Sequence, residues 1–452
     1  MLRRVSLAGS RIPKAVFVGT ALMVCFAVTA SSGEATTTQD TNLPAYAGTL
    51  QPQIEEQMTN LRVPGALVYV DVPGEGTWSQ VFGTGNLETD APITPNDHFR
   101  IGSNTKTFTG TVILQLVDEG KLGLDDPVSK YQPEVPNGEN ITIRQLLNMT
   151  SGLYSYTEDE DFNRTLDTEP QKVWEPEELI EIGFSHQPDF PPGEGFQYSN
   201  TNTVLLGMII EQLTDQPLEQ AFQERIFEPL GMSNTVFPER SSAAIPDPHP
   251  RGYMYQTNVE TLNTSELQEE AEQADESERE PRDVTDDNPS WGWAAGAAIS
   301  TLDDMIIWAK ADATGELLSS EAQKERLTWV SPPPAPGAEY GLAIAEFPGG
   351  FIGHDGQLPG FNSFVAHSPE TGTTIVVFTN VYSAPDGSQP ANDITRTIIQ
   401  ELPGPGGEET SRESTLEGPL VASGGPPILW AAAAALALSA SILAYVVLRQ
   451  RT

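Results

Sequence analysis

The chain has 452 residues and a formal net charge of -39, with 24 basic side chains against 63 acidic ones and 38% apolar residues. This length supports one large core or two smaller ones, and the apolar share excludes a chain disordered throughout. Such acidity repels phosphate backbones and excludes nucleic-acid binding as the main task, while a single cysteine, Cys25, leaves no intrachain disulfide and no cysteine metal site.

In chain order, Arg3, Arg4, Arg11 and Lys14 precede an apolar run at 15–30 and then Ser31, Ser32 and Gly33, the pattern of an export signal over 1–35 with cleavage after Ala30. The same run, if retained, would be a short anchor. Residues 50–61 read as a helix. Apolar runs at 66–72 and 78–83 flank Pro73-Gly74-Glu75-Gly76, a hairpin signal. Residues 99–104 lead into a helix at 105–120, with Phe108, Val112, Ile113, Leu116 and Val117 on one side. Thr105, Thr107, Thr109, Thr111 and Gly110 are poor helix formers, so tertiary burial must hold it.

Further helices at 143–149, 176–183, 203–213 and 218–227 give a helical middle, and the acidic stretch 266–287 reads as a solvated insertion. Ser300 and Asp303 are spaced as a capping pair for a helix at 300–310. Strand patterns at 351–354, 361–367 and 373–379 precede a closing helix at 394–402. Strands at both ends with helices between predict a sheet built from distant segments, with a helical subdomain, about 115–280, beside it.

After the domain at 36–402, residues 403–427 are rich in Gly, Pro, Glu and Ser and read as a flexible tether. Residues 428–448 carry no charge and would span about 31 Å as a helix, enough to cross a bilayer. Arg449 and Arg451 then place the tail 449–452 inside the cell, which predicts a single-pass membrane protein with its globular part on the extracytoplasmic side. Abundant carboxylates and scarce lysine suit concentrated salt, although an ordinary acidic exported protein has the same composition.

Three local patterns could carry chemistry. Ser103 and Lys106, three apart at a helix start, share one face, where an amine can take the serine proton and the helix N-terminus favours an oxyanion. Taken alone, the pair is also the pattern of an N-capping serine with a helix lysine. Tyr198 and Asn200 end a Gly-rich loop; a phenol can shuttle a proton and an amide can bind both lysine and substrate, but a turn tyrosine with a capping asparagine reads the same. His354-Asp355-Gly356 closes a strand pattern, where an imidazole can hold a carboxylate and the glycine admits a substrate backbone; as an isolated histidine it is equally a structural one.

The three in this order resemble the serine β-lactamase and penicillin-binding protein superfamily, and within it the branch of class C β-lactamases and D-alanyl-D-alanine carboxypeptidases. The resemblance spans roughly 50–402 and includes Phe99-Arg100-Ile101-Gly102 before the serine and Pro229-Leu230-Gly231-Met232. It implies an α/β fold of the β-lactamase/transpeptidase type, an antiparallel sheet flanked by helices with an all-helical subdomain, to which this sequence adds one C-terminal transmembrane helix. It implies Ser103 as the acylated nucleophile, Lys106 as its partner, Tyr198 as general acid/base, and Asn200, His354 and Gly356 as substrate ligands. The N–H groups of Ser103 and Gln357 would form the oxyanion hole. No metal or cofactor is required.

Asp355 departs from the usual Thr or Ser, which argues against carboxylate recognition. The expected activity is a D-alanyl-D-alanine carboxypeptidase-like or β-lactamase-like serine hydrolase acting on small peptides, esters or β-lactams. An esterase or D-amino-acid amidase is the alternative within the family, and a non-hydrolytic penicillin or peptide sensor the alternative outside enzymes.

Overall fold

The computed structural model describes residues 43–263, 279–330 and 338–402. The expected export signal, tether and membrane helix lie outside the described residues, and among those described no helix is long and apolar enough to cross a membrane.

Helix α1 (Ala45–Asn60) begins earlier than its sequence pattern suggests, because Tyr46 and Ala47 extend the buried stripe of Leu50, Ile54 and Met58. The hairpin of β1 (Gly65–Val72) and β2 (Gly76–Gly83) follows as expected, with Gly74 and Gly76 at φ 87° and 116° in its turn. After β3 (Phe99–Arg100) comes α2 (Thr105–Asp118). The helical middle holds α3 (Ile143–Leu147), α4 (Glu160–Thr168), α5 (Pro176–Ser185), α6 (Asn200–Thr214), α7 (Leu218–Phe222) and α8 (Glu228–Leu230). Next are β4 (Tyr253–Met254), β5 (Arg282–Asp283), α9 (Trp293–Gly296), β6 (Ile299–Ser300), α10 (Leu302–Thr314) and α11 (Ser320–Arg326). The chain closes with β7 (Glu339–Tyr340), β8 (Ala345–Phe347), β9 (Phe351–Leu358), β10 (Phe361–His367), β11 (Thr374–Thr379) and α12 (Pro390–Glu401).

Seven strands form one antiparallel sheet in the order β2-β1-β11-β10-β9-β8-β7. The two ends of the domain therefore meet at β1 and β11, with Val68 opposite Val377. Side chains of β11 alternate between two cores. Ile375 and Val377 join Leu50, Ile54, Ile394 and Ile398 of α1 and α12, whereas Val376 and Phe378 join Phe108, Val112 and Trp308 of α2 and α10. Burial on both faces is why this strand reads as an unbroken apolar run.

The threonines of α2 explain how a poor helix former is held. Thr105 Oγ1 accepts from the Ala298 N–H, Thr107 Oγ1 from Trp308 Nε1 and Thr111 Oγ1 from Arg326 Nη1, while Thr109 Oγ1 donates to Ala294 O. A Cβ on Gly110 would lie 2.5 Å from that of Ala343. Low propensity is accepted here in exchange for tertiary hydrogen bonds and close approach.

Three expectations need correction. Ser300 does not cap a helix: it pairs with Phe99 across β3 and β6, its hydroxyl meets Thr235, and Thr301 precedes α10 without a side-chain cap. The strand at 351–354 runs on to Leu358, because β10 pairs with it from Ile352 to Leu358. Within the acidic stretch 266–287, residues 282–283 pair with β4 while staying exposed, Val284 and Thr285 are buried, and the carbonyls of Thr285 and Asp287 accept from the buried Arg100 guanidinium, so the end of the stretch is anchored to the domain rather than wholly solvated.

Candidate active site

Ser103 sits on a short 3-10 turn, Gly102–Asn104, at the mouth of α2. Gly102 makes that turn possible on two counts. Its φ is +54°, and a Cβ there would lie 2.5 Å from the backbone nitrogen of Gln357. A second close approach follows along β9, where a Cβ on Gly356 would lie 2.0 Å from Ile101 O. The space at Gly356 is thus filled by the chain's own backbone, where the sequence suggested a substrate's. Asn104 and Ser363 lock the contact: Asn104 Nδ2 donates to Ser363 Oγ at 2.9 Å, and that hydroxyl donates to Ile101 O at 2.9 Å.

Lys106 is fully buried, with Nζ 3.1 Å from Ser103 Oγ. Nζ donates to Asn200 Oδ1 at 2.6 Å and to Ala295 O at 2.8 Å. Both of those oxygens only accept, so they consume two N–H bonds of the amine. A neutral amine then turns its lone pair toward Ser103. Burial holds the lysine well below its ordinary pKa, partly countered by Asp355.

Tyr198 places its ring 4.8 Å from Lys106 Nζ. Its hydroxyl is buried without a hydrogen-bond partner of good geometry. Burial, then Tyr340, push the phenol well above its ordinary pKa, an effect that the nearby Ser103 hydroxyl reduces and Asp355 adds to. The pair is therefore an amine whose charged form is disfavoured beside a phenol inclined to keep its proton. Asn200 opens α6; its Nδ2 donates to Thr157 Oγ1 at 2.9 Å, which fixes the amide with its oxygen toward Lys106.

Ser103, Tyr198, Asn200 and Gln357 line one cleft, together with Tyr156, Glu158, Phe162, Trp291 and Ala295. His354 is not among the lining residues and has no exposed surface. Its Nδ1 donates to Asp355 O at 2.6 Å, and Nε2 meets the Tyr340 hydroxyl at 3.2 Å. With both ring nitrogens engaged, this histidine offers the cleft no donor. Asp355 is equally buried and accepts from Asn392 Nδ2 at 3.0 Å. Because the motif lies inside β9, its side chains alternate between faces instead of gathering at a strand end.

Sequence reasoning missed Ala295, Thr157 and Glu158. Ala295 acts through a carbonyl that any residue supplies, so the one signal was the small-residue run Ala294-Ala295-Gly296-Ala297-Ala298 facing α2. Glu158 is half-buried; burial raises its carboxyl to about 7, against a hydrogen bond from Gln197 and with a smaller push from Asp189.

A nucleophile backed by a buried amine and phenol, set between a sheet and a helical layer, defines a serine hydrolase. The chain belongs to the Beta-lactamase family, whose model matches residues 50–396. Protein flp of Staphylococcus aureus (strain MW2) is 27% identical over 343 residues, covering 73% of this chain and 62% of flp, so the chain spans less than two thirds of that relative. The putative penicillin-binding protein PbpX of Bacillus subtilis (strain 168) is 27% identical, with 73% of each covered. Among solved structures, a D-stereospecific amidohydrolase from Streptomyces sp. aligns with TM-score 0.66 and 33% identity over 79% of this chain and 98% of that one. The D-amino acid amidase of Ochrobactrum anthropi SV3, complexed with L-phenylalanine amide, aligns with TM-score 0.66 and 26% identity over the same shares.

Proposed function

We propose that this hydrolase cleaves small amides whose acyl group carries a free ammonium, amino-acid amides above all, through an acyl-enzyme on Ser103. The observation that carries this reading is the charge of the cleft. Among its described lining residues Glu158 is the one carboxylate, and none is a lysine, arginine or histidine. Such a wall attracts an amine and gives a terminal carboxylate nothing to bind. The likeness to a D-stereospecific amidohydrolase and a D-amino acid amidase supports the same reading and favours the D configuration. Carboxypeptidase-like or β-lactamase-like action is the second reading, favoured by the name of the PbpX relative.

In the proposed reaction Ser103 Oγ attacks the carbonyl carbon as its proton passes to Lys106. The oxyanion is held by the N–H groups of Ser103 and Gln357. The C–N bond breaks as Tyr198 gives a proton to the departing nitrogen and recovers one from Lys106. Water then repeats the sequence on the ester, and the acid leaves with Ser103 restored.

Glu158→Gln should raise KM for a free D-amino-acid amide by about tenfold or more and leave that for its N-acetylated form unchanged. With the Glu158 carboxyl near 7, affinity for the ammonium substrate should rise as pH passes upward through that value, as the carboxylate forms. Steady-state kinetics on such a pair and on a D-alanyl-D-alanine peptide checks both points; faster turnover of the carboxylate-ended peptide would reverse the order of the two readings. We further propose export and membrane attachment, supported by the basic start with its apolar run and by the uncharged segment 428–448 before Arg449. The full chain should then stay in membranes after alkaline extraction; release with soluble proteins contradicts the anchor.

A further inference from the structure

We propose, on the reading of Glu158 as the group that receives a substrate ammonium, that Asn163 is the positioning residue of that site: its side chain bridges the backbone on either side of Glu158 and sets the carboxylate in the cleft. Helix α4 brings Phe162, Asn163 and Leu166 to the cleft wall. Asparagine is a poor helix former, because its amide competes for backbone groups, and here the residue is only 6% exposed, so the fold itself must satisfy that amide. Nδ2 donates to Thr157 O at 2.9 Å and to Asp159 O at 2.8 Å, the carbonyls of the residues immediately before and after Glu158. Two carbonyl oxygens accept only from the nitrogen end of an amide, which fixes the direction of this one.

What the bridge controls is the orientation of one residue. The peptide group entering Glu158 is held at both ends: its N–H donates to Ser155 O at 2.9 Å, and its oxygen, Thr157 O, accepts from Asn163. Beyond Glu158, the Asp159 N–H donates to Tyr156 O at 3.2 Å, and Asp159 O accepts both the backbone N–H of Asn163, at 3.1 Å, and its Nδ2. Glu158 ends the 3-10 turn Tyr156–Glu158, so its side chain leaves a backbone that is fixed on both sides. Its Oε1 then accepts from Gln197 Nε2 at 2.9 Å, on the residue next to Tyr198. The other anchors of this segment serve different ends. Thr157 Oγ1 meets Ser155 Oγ at 2.9 Å and accepts from Asn200 Nδ2, and the Tyr156 hydroxyl donates to Trp291 O at 2.6 Å, which ties down the side of the turn facing Asn200 without Asn163. The Asp159 carboxylate accepts from the Phe162 N–H and meets His186 Nε2, so the start of α4 is also held independently. Loss of the Asn163 amide therefore acts on Glu158 before it acts on Ser103 or Lys106.

The experiment is a double-mutant cycle in the full-length chain: Asn163→Ala, Glu158→Gln and both together, each assayed for kcat/KM on a free D-amino-acid amide and on its N-acetylated form. The ratio of the two values reads ammonium recognition separately from the chemical step. Asn163→Ala should lower that ratio by roughly three- to tenfold, through KM of the free amide. The double variant should fall no lower than Glu158→Gln alone, because Asn163 acts through that carboxylate. Should Asn163→Ala not fold, Asn163→Leu, of similar volume and without a donor, takes its place in the cycle. A ratio that stays at the parent value, even with slower turnover of both substrates, would mark Asn163 as structural, and losses that multiply in the double variant would make it independent of Glu158; either result overturns the inference. A ratio unchanged by Glu158→Gln would overturn the reading of Glu158 instead, and the inference with it.

Discussion

Replacing Lys106 by methionine should slow acylation by about 10³–10⁴-fold while the protein stays folded. The size follows from the geometry. Two of the N–H bonds are spent on Asn200 Oδ1 and Ala295 O, so the third direction of the amine is aimed at Ser103, and no lysine is among the described residues that line the cleft. Tyr198 cannot take over at neutral pH, because burial keeps its proton in place. Survival of the fold follows from opposing terms of similar size. The two orphaned acceptors cost about 1–3 kcal/mol each, and replacing the desolvated amine by an apolar side chain of similar length recovers its desolvation cost. Stopped-flow acylation and a thermal melt measure both halves; a variant acylated at the parent rate removes Lys106 from the reaction.

Gly356→Ala should fail in the opposite manner, through structure first. Its Cβ would meet Ile101 O at 2.0 Å and Ser363 Oγ at 2.6 Å, and the nearer atom is backbone. Neither β9, held by β10, nor the turn bearing Ser103 can retreat without breaking hydrogen bonds. Overpacking of this kind costs about 1–3 kcal/mol, and a nucleophile displaced by about 1 Å loses about 10²-fold in rate. Gly48→Ala is the control. That glycine has open space around it in α1, so the substitution should leave activity alone and raise stability by about 0.5–1 kcal/mol. Denaturant midpoints and kcat/KM for the two variants decide; an active, stable Gly356→Ala would mean that the contact is slack.

What could be read in advance depended on whether a signal was local. The spacing of Ser103 and Lys106, the Gly-rich turn of the first hairpin and the apolar run of β11 all declare themselves within a few residues. Conversely, the full length of β9 was hidden because Gly353, Asp355 and Gly356 weaken its pattern, and the contacts that call for small residues, Val365 O of β10 at Gly353 and Ile101 O at Gly356, exist only in the folded sheet. His354 illustrates the same limit. Its chemistry suggested a ligand, whereas its neighbours Tyr340 and Asp355, set by tertiary packing, turn both nitrogens inward. Glu158 carried no motif at all; its raised carboxyl exists only once Gln197 and Asp189 are folded against it.

The central claim is that Ser103 becomes covalently acylated. Intact-protein mass spectrometry after brief exposure to a penicillin and to an activated ester, followed by peptide mapping, tests it most directly. The account predicts one added acyl group, located on Ser103 and absent from Ser103→Ala. An adduct on another residue, or equal labelling of Ser103→Ala and the parent, would contradict it.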